Sequence, residues 1–294
     1  MNRPAHPPTA AAPVAPLRLG VRAHDLGRLP AKELAALVAA GGFASVQLAL
    51  NKAVAGLNLR AGELTEDLAQ SIGAAFRQQG VAIAVLGCYI NPIHPDRETR
   101  SRSLAYFKDH LRFARAFGCG LVALESGSVN ADYSPHPDNH RPAALRELLG
   151  SLAELVATAQ EHGVKVGLEA VTSHPVSTPG RMRRVLDSLQ SEHLQVVWDP
   201  VNLLSPENAG RQAAVSTEAL ELFGDRIAVV HAKDFLMQDG LMSPLPAGCG
   251  QLDYGPVLEF VRQGKGRVPV LLEETDAPAA GCSAAWLRAR YQKI

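Results

Sequence analysis

Long apolar runs, paired cysteines and net charge are all wanting in this 294-residue chain, and each absence excludes a class of protein. No stretch approaches the roughly 20 apolar residues that a membrane span needs. The four cysteines, Cys88, Cys119, Cys249 and Cys282, are widely spaced and form no C-x-x-C pair. That argues against disulfide stapling and against a thiolate zinc site, and they read as small buried residues in a reducing compartment. Lysine plus arginine (29) balances aspartate plus glutamate (29), so no global field draws the chain to nucleic acid or an anionic membrane. Residues 1–16 are rich in alanine and proline but lack the apolar run of a signal peptide. They read as a disordered tail ahead of a single cytoplasmic catalytic domain spanning 17–294.

What the chain does have is rhythm. Short apolar, often β-branched runs recur at 17–23, 45–49, 81–86, 121–124, 164–169, 194–198, 227–230 and 268–273. Such runs suit strands buried on both faces. Between them the spacing turns helical. Leu104, Phe107, Leu111, Ala114 and Phe117 fall three and four apart before Gly118, and Leu145, Leu148, Leu149, Leu152, Leu155 and Ala159 do the same before Gly163. Thr178-Pro179 and Ser205-Pro206 each read as an N-cap followed by proline at the first helical position. Eight strand–helix alternations admit a closed barrel or an open doubly wound sheet. The open sheet would carry a Gly-rich phosphate loop after its first strand, where this chain has Arg22-Ala23-His24-Asp25-Leu26-Gly27. The expected fold is therefore an α/β (β/α)8 TIM barrel in one domain.

Catalytic groups in such a barrel stand at the carboxyl ends of strands. The last four strands end in Glu169, Asp199, His231 and Glu273, which are 30, 32 and 42 residues apart, about one βα module each. Strand alternation puts Gly167 with Glu169, Val197 with Asp199 and Val229 with His231 on common sides. A lone strand-end carboxylate often just caps the next helix, but four successive strands bearing such groups point to one centre. Three carboxylates and an imidazole form a hard, oxygen-rich set for one divalent ion, Mn²⁺ foremost, with Mg²⁺, Co²⁺ or Zn²⁺ as alternatives. Glu274 competes with Glu273 for the last position. Glu273 is favoured because it continues the Pro269, Leu271 side of its strand.

The segments 113–128 (FARAFGCGLVALESGS), 163–175 (GVKVGLEAVTSHP), 196–204 (VVWDPVNLL), 228–235 (AVVHAKDF), 247–258 (AGCGQLDYGPVL) and 269–275 (PVLLEET) resemble the xylose isomerase-like barrel superfamily, in particular its sugar phosphate isomerase/epimerase branch. The likeness covers nearly the whole chain after residue 16. It implies that Glu169, Asp199, His231 and Glu273 bind the metal and that Glu169 and Glu273 exchange protons with the substrate. It also implies isomerisation or epimerisation of a ketose or related keto-sugar. A metal chelating a carbonyl and its neighbouring hydroxyl acidifies the C–H between them and stabilises the enediolate, while a carboxylate on each face moves the proton. Two positions depart from the family epimerases: Asn202 stands for a histidine, and Met237 for an arginine.

Substrate contacts are expected from Asn202, Tyr89, Glu125, Lys233 and His94 on the rim, although Asn91-Pro92 and His94-Pro95 are also good turn dipeptides. Arg181, Arg183 and Arg184 read either as a phosphate receiver or as a solvated helix face, the latter favoured. The same centre would serve a lyase that expels a β-hydroxyl. An endonuclease IV-like activity fits poorly with ten histidines and no net charge, and a non-catalytic sugar-binding barrel would leave its carboxylates repelling one another. The expected partner is a small sugar or polyol, with a homodimer implied by family analogy alone.

Overall fold

A computed structural model describes residues 15–264 and 267–294, so all but the last two residues of the Ala/Pro-rich stretch lie outside it. Strands β1 (Leu19–Arg22), β2 (Ser45–Leu48), β3 (Ala82–Gly87), β4 (Leu121–Glu125), β5 (Lys165–Glu169) and β6 (Leu194–Trp198) follow one another around a parallel sheet. They are followed by β7 (Ile227–Gln238), β8 (Leu241–Pro246) and β9 (Val270–Leu272). β6 pairs with β7, β7 with β9, and β9 with β1, so eight parallel strands close into a barrel. The main helices are α1 (Ala31–Ala40), the single turn α2 (Leu50–Ala53), α3 (Glu66–Gln78), α4 (Arg97–Phe113), α5 (Pro142–Glu161), α6 (Pro179–Leu189), α7 (Gln212–Phe223), α8 (Gly255–Gln263) and α9 (Ala277–Tyr291).

The helical stripes read from spacing face the sheet. Phe107, Leu111, Leu148, Leu152 and Leu155 are fully buried, each such side chain contributing about 1.5–3 kcal/mol of transfer free energy. Thr178 caps α6, its hydroxyl accepting from the Arg181 N–H at 3.2 Å, with Pro179 at the first helical position as expected. Ser205-Pro206 behaves differently. Asn208 Oδ1 accepts the Ser205 N–H and folds a turn there, and α7 begins only at Gln212. Gly118 and Gly163 take φ of +78° and +62°, the left-handed bend that brings the chain off α4 and α5 into the following strands.

A second, smaller apolar layer fills the barrel interior: Val85, Leu121, Ala123, Val197, Val229 and Leu271. Of these, Val197, Val229 and Leu271 sit two residues before Asp199, His231 and Glu273 on their strands, so strand parity lifts those three side chains onto the carboxyl-end face directly above the layer. Gly167 occupies the same level beneath Glu169. A Cβ there would lie 3.0 Å from Val197 Cγ2 and 3.2 Å from Ala123 Cβ, which is why the strand has none.

Two further sequence expectations need correction. The seventh strand does not stop at Val230: β7 runs on to Gln238 and folds back antiparallel as β8 through Asp239-Gly240, both at positive φ. The missed Asp-Gly dipeptide is a strong hairpin signal. And only Cys88 and Cys119 are buried, whereas Cys249 and Cys282 are exposed; all four are free. Among the described residues no helix is long and apolar enough to cross a membrane.

Candidate metal centre

Glu169, Asp199, His231 and Glu273 converge at the carboxyl end of the barrel, all buried, with one ligand-type atom of each within 4.8 Å of the others. Each is aimed by its own strand end. Asp199 Oδ1 accepts the N–H groups of Val201 (2.8 Å) and Asn202 (3.1 Å), capping a helical turn and leaving Oδ2 to face the centre. Glu273 extends β9 through its N–H to the Ala232 carbonyl (3.1 Å). The chain then turns at Glu274, whose φ is +53°, and this sends the second glutamate outward to Arg22. Backbone parity thus places Glu273, with 8% of its side chain exposed against 39% for Glu274, at the centre.

His231 fixes the polarity of the site. Its Nε2 lies 2.8 Å from Gln47 Oε1, an atom that can only accept, so Nε2 carries a proton. Its Nδ1 faces Glu273 Oε2 (2.8 Å) and Glu169 Oε1 (3.3 Å). Gln47 is itself oriented by donating from Nε2 to the Tyr89 hydroxyl (3.0 Å). An imidazole held through its far nitrogen presents the other one to an ion, the usual role of an outer-shell partner.

Several cations and carboxylates crowd the same space. Lys233 Nζ lies 3.0 Å from Asp199 Oδ2 and 3.5 Å from Glu273 Oε1, while the Tyr254 hydroxyl donates to the Lys233 carbonyl (2.8 Å). Arg22 binds Glu273 Oε1 (2.5 Å), Glu274 (2.9 Å) and Asp25 (2.7 Å). Burial pushes Asp199 up to about 6 against the pull of Lys233. At Glu273 burial opposes ionisation too, but Lys233, His231 and Arg22 hold the carboxyl well below its ordinary range. Burial likewise opposes charge on His231, yet Glu169 and Glu273 hold its imidazole well above its ordinary value. Glu125, register partner of Glu169, is pushed up to about 7 by burial and then by the charges of Glu169 and Glu273.

The donor set suits a divalent ion on one further count. Asp199 Oδ2 and Glu273 Oε2 are buried and, although close to Lys233 and His231, make no aligned hydrogen bond. Two buried anionic oxygens without hydrogen bonds are costly, and a cation between them offsets that cost.

The other expected site residues divide. Asn202 donates to Glu169 Oε1 at 2.7 Å, inside the centre. Lys233 is inside it as well. Tyr89 stands one residue away, through Gln47. Glu125 lies at its edge, with His174 Nδ1 3.5 Å from Oε2. His94 lies out in the β3–α4 loop, its Nδ1 accepting the Asp96 N–H at 3.1 Å. Asn91 ties that loop to Ser128 and Asn130 rather than facing the centre. Arg181 binds the carbonyls of Pro175 and His140, and Arg183 binds Leu222 O and Asp187, so both serve local structure. Asp234 accepts from Phe235, Gly248 and Leu252 and pins the loop that follows the hairpin. Sequence reasoning missed Arg22, Gln47, Lys52, Tyr133 and His174. Lys52 Nζ lies 3.8 Å from the centre of the Tyr89 ring, and Tyr133 packs edge-on against His174 at 5.2 Å. None of the five sits at a strand-end carboxylate position that spacing would flag.

A closed parallel barrel with three carboxylates and one imidazole gathered at its carboxyl end defines a class, and comparison with known proteins supplies the family. Residues 34–290 match the xylose isomerase-like TIM barrel family, and the chain belongs to it. An uncharacterised protein of Methanocaldococcus jannaschii is 23% identical over 177 residues, 59% of this chain and 57% of its own length, so the match spans little more than half of that relative. The fold is similar to that of a D-tagatose 3-epimerase-like protein (TM-score 0.73, 19% identity, 95% of this chain and 98% of that one). It is also similar to 3-keto-D-glucoside 4-epimerase from E. coli (TM-score 0.68, 19% identity, 93% and 99%). A xylose isomerase-like barrel from Mycobacterium smegmatis, solved in complex with magnesium, aligns at TM-score 0.69 with 16% identity over 95% and 97% of the two chains.

Proposed function

We propose that the protein is a divalent-metal-dependent isomerase or epimerase of a ketose or related keto-sugar. The observation that carries this reading is the buried convergence of Glu169, Asp199, His231 and Glu273 within 4.8 Å at the catalytic end of the barrel. These four residues would hold the ion, His231 through Nδ1 and Asp199 through Oδ2. Oxygen-rich donors suit Mn²⁺, Mg²⁺ or Co²⁺, and the imidazole admits Zn²⁺. When bound, the ion supplies Lewis acidity that polarises a sugar carbonyl and acidifies the adjacent C–H.

The protein's own groups do the rest. Glu169 is the base best placed to take the carbon-bound proton. Its Oε1 is occupied by Asn202 and His231, and its Oε2 has no protein partner among the described residues. Glu273 faces the centre from β9 and returns a proton from the other side. Lys233 holds charge near the developing oxyanion, and Glu125, with its carboxyl near neutrality, exchanges protons with sugar hydroxyls at the rim. A second reading, β-elimination of water, draws on one specific observation: Glu273 Oε1 is already bound by both Arg22 and Lys233, which leaves Glu169 the freer base. Elimination needs only one.

The test is bound metal per chain by elemental mass spectrometry, on wild type and Asp199→Ala, followed by deuterium wash-in on a panel of keto-sugars. About one equivalent in wild type, lost in the variant, with exchange beside the carbonyl, supports the proposal. A wild type that takes up no ion when incubated with each of Mn²⁺, Mg²⁺, Co²⁺ and Zn²⁺ overturns it. Exchange with net loss of water selects the lyase.

A further inference from the structure

The keto-sugar reading leaves unexplained a cavity of about 820 Å³ beside the centre, walled by the segments that follow β2, β3 and β4. Tyr89, Tyr106 and Tyr133 line it, with Arg60, Arg102 and His94 toward the outside. Two of its walls, Tyr89 and Tyr133, follow the carboxyl ends of β3 and β4, on the same face of the barrel as the centre. Tyr89 is one residue from His231 through Gln47, with hydrogen bonds of 3.0 and 2.8 Å. Tyr133 packs edge-on against His174, whose Nδ1 lies 3.5 Å from Glu125 Oε2 at the edge of the centre. The ligand-bearing strands β5, β6, β7 and β9 occupy the other side of the barrel, so a substrate chelated there has this cavity alongside it.

Two features mark the cavity as built to receive a group. Tyr133 holds φ at +68°, a left-handed conformation that a bulky L-residue adopts only at a cost, and such strain collects where a side chain must be aimed. Lys52 lies over the Tyr89 ring at 3.8 Å, fixing a ring that is otherwise 37% exposed. Three tyrosines around one space provide flat faces for a ring, with hydroxyls at their edges for hydrogen bonds. The two arginines do not make the space a strong anion receiver: Arg102 is already bound to Glu98 and Thr99, and Asp132 also lines the wall. The volume lies in the upper part of the usual range for ligand sites, more than one monosaccharide requires.

Resting on the keto-sugar reading of the metal centre, we propose that the substrate is a glycoside: a keto-sugar held at the centre whose glycosidic oxygen carries a second ring, sugar or aryl, seated among Tyr89, Tyr106 and Tyr133. The protein would thus act on a conjugated sugar in preference to a free one. Tyr106, on α4 and away from the four ligands, is a specificity residue for that second ring.

The test uses unreactive probes, so that binding is read without the reaction. Metal-loaded full-length protein is titrated with methyl glycosides, phenyl glycosides and disaccharides of the α- and β-gluco, galacto and manno series, followed by saturation-transfer NMR and calorimetry. The expected result is at least tenfold tighter binding of a phenyl glycoside or disaccharide than of its methyl counterpart, with strongest saturation on the second ring. Tyr106→Ala removes the preference and leaves methyl glycoside binding as it was, and Tyr106→Phe retains it. Preference for phenyl members alone assigns an aryl group, and preference for disaccharides alone assigns a sugar. Equal binding throughout every series, or a preference that survives in both Tyr106→Ala and Tyr133→Ala, overturns the proposal. Deuterium wash-in on free keto-sugars with no ring preference sinks the second-ring site and spares the reaction, whereas ring preference without exchange on any keto-sugar does the reverse.

Discussion

Replacing Gln47 by leucine tests whether the centre depends on a residue that touches no ion. Gln47 is 3% exposed and its Oε1 accepts from His231 Nε2 at 2.8 Å. Leucine keeps much of the volume but offers no acceptor, so His231 loses the bond that keeps its proton on Nε2 and its Nδ1 toward Glu169 and Glu273. Outer-shell partners of metal-binding histidines typically contribute 10- to 100-fold in metal affinity, which is about 1.4–2.7 kcal/mol. The expected result is a rise of that size in the Kd for Mn²⁺ or Zn²⁺, measured by competition with a chromophoric chelator. Gln47→Glu restores an acceptor and should fall within a few-fold of wild type. Tyr89→Phe removes only the anchor of the amide's other end, and a smaller loss is expected. Thermal melting of each metal-free variant separates a loss of fold from a loss of ligand geometry. If Gln47→Leu melts like wild type and binds metal within twofold of it, the orienting role assigned to the amide is wrong.

Three further expectations concern stability. Gly167→Ala places a Cβ 3.0 Å from Val197 Cγ2 and 3.2 Å from Ala123 Cβ in the filled barrel interior, and overpacking of this kind costs about 1–3 kcal/mol in denaturant unfolding; an unchanged midpoint would mean the layer yields freely. Arg22→Met strips Asp25, Glu273 and Glu274 of their shared partner, only 15% of the arginine side chain being exposed, and a loss of about 3 kcal/mol or more is expected from the metal-free protein. Acid should also destabilise the fold through His110. Burial lowers its pKa and its Nε2 has no partner, so the unfolded chain, titrating near 6.5, takes up the proton that the folded state resists. The stability this histidine contributes is complete above about pH 6.5 and is lost as pH falls below it, by up to about 1.4 kcal/mol per pH unit. His110→Gln should flatten that limb of a stability–pH curve, and an unaltered slope would assign the acid sensitivity elsewhere.

The parts legible in the sequence are those repeated by the βα module. Glu169, Asp199 and His231 recur at module spacing, and Val197 and Val229 announce by parity which side of the strand faces inward. The same parity separates Glu273 from Glu274. What escaped is what closure alone creates. Arg22 meets Glu273 across 251 residues and Gln47 meets His231 across 184, and no spacing rule connects such pairs. The β7–β8 hairpin escaped for another reason. Its Asp239-Gly240 turn is a readable hairpin signal, but a strand taken to end at its ligand, His231, leaves the following residues to a loop, whereas β7 continues to Gln238.

These omissions share a cause in charge. A chain with equal numbers of acids and bases looks featureless as a whole, yet the barrel gathers Glu125, Glu169, Asp199 and Glu273 at one end and must answer them locally. Lys233 on β7, Arg22 on β1 and Lys52 after β2 supply the answering charge, and Gln47 on β2 supplies direction. The strands therefore divide by task. β5, β6, β7 and β9 carry the groups that converge, while β1 and β2, which look empty of chemistry in the sequence, hold those groups in place. A carboxylate cluster without that second set would raise its own pKa values and cease to be a ligand set. This is why the ligands alone, however well spaced, describe only half of the centre.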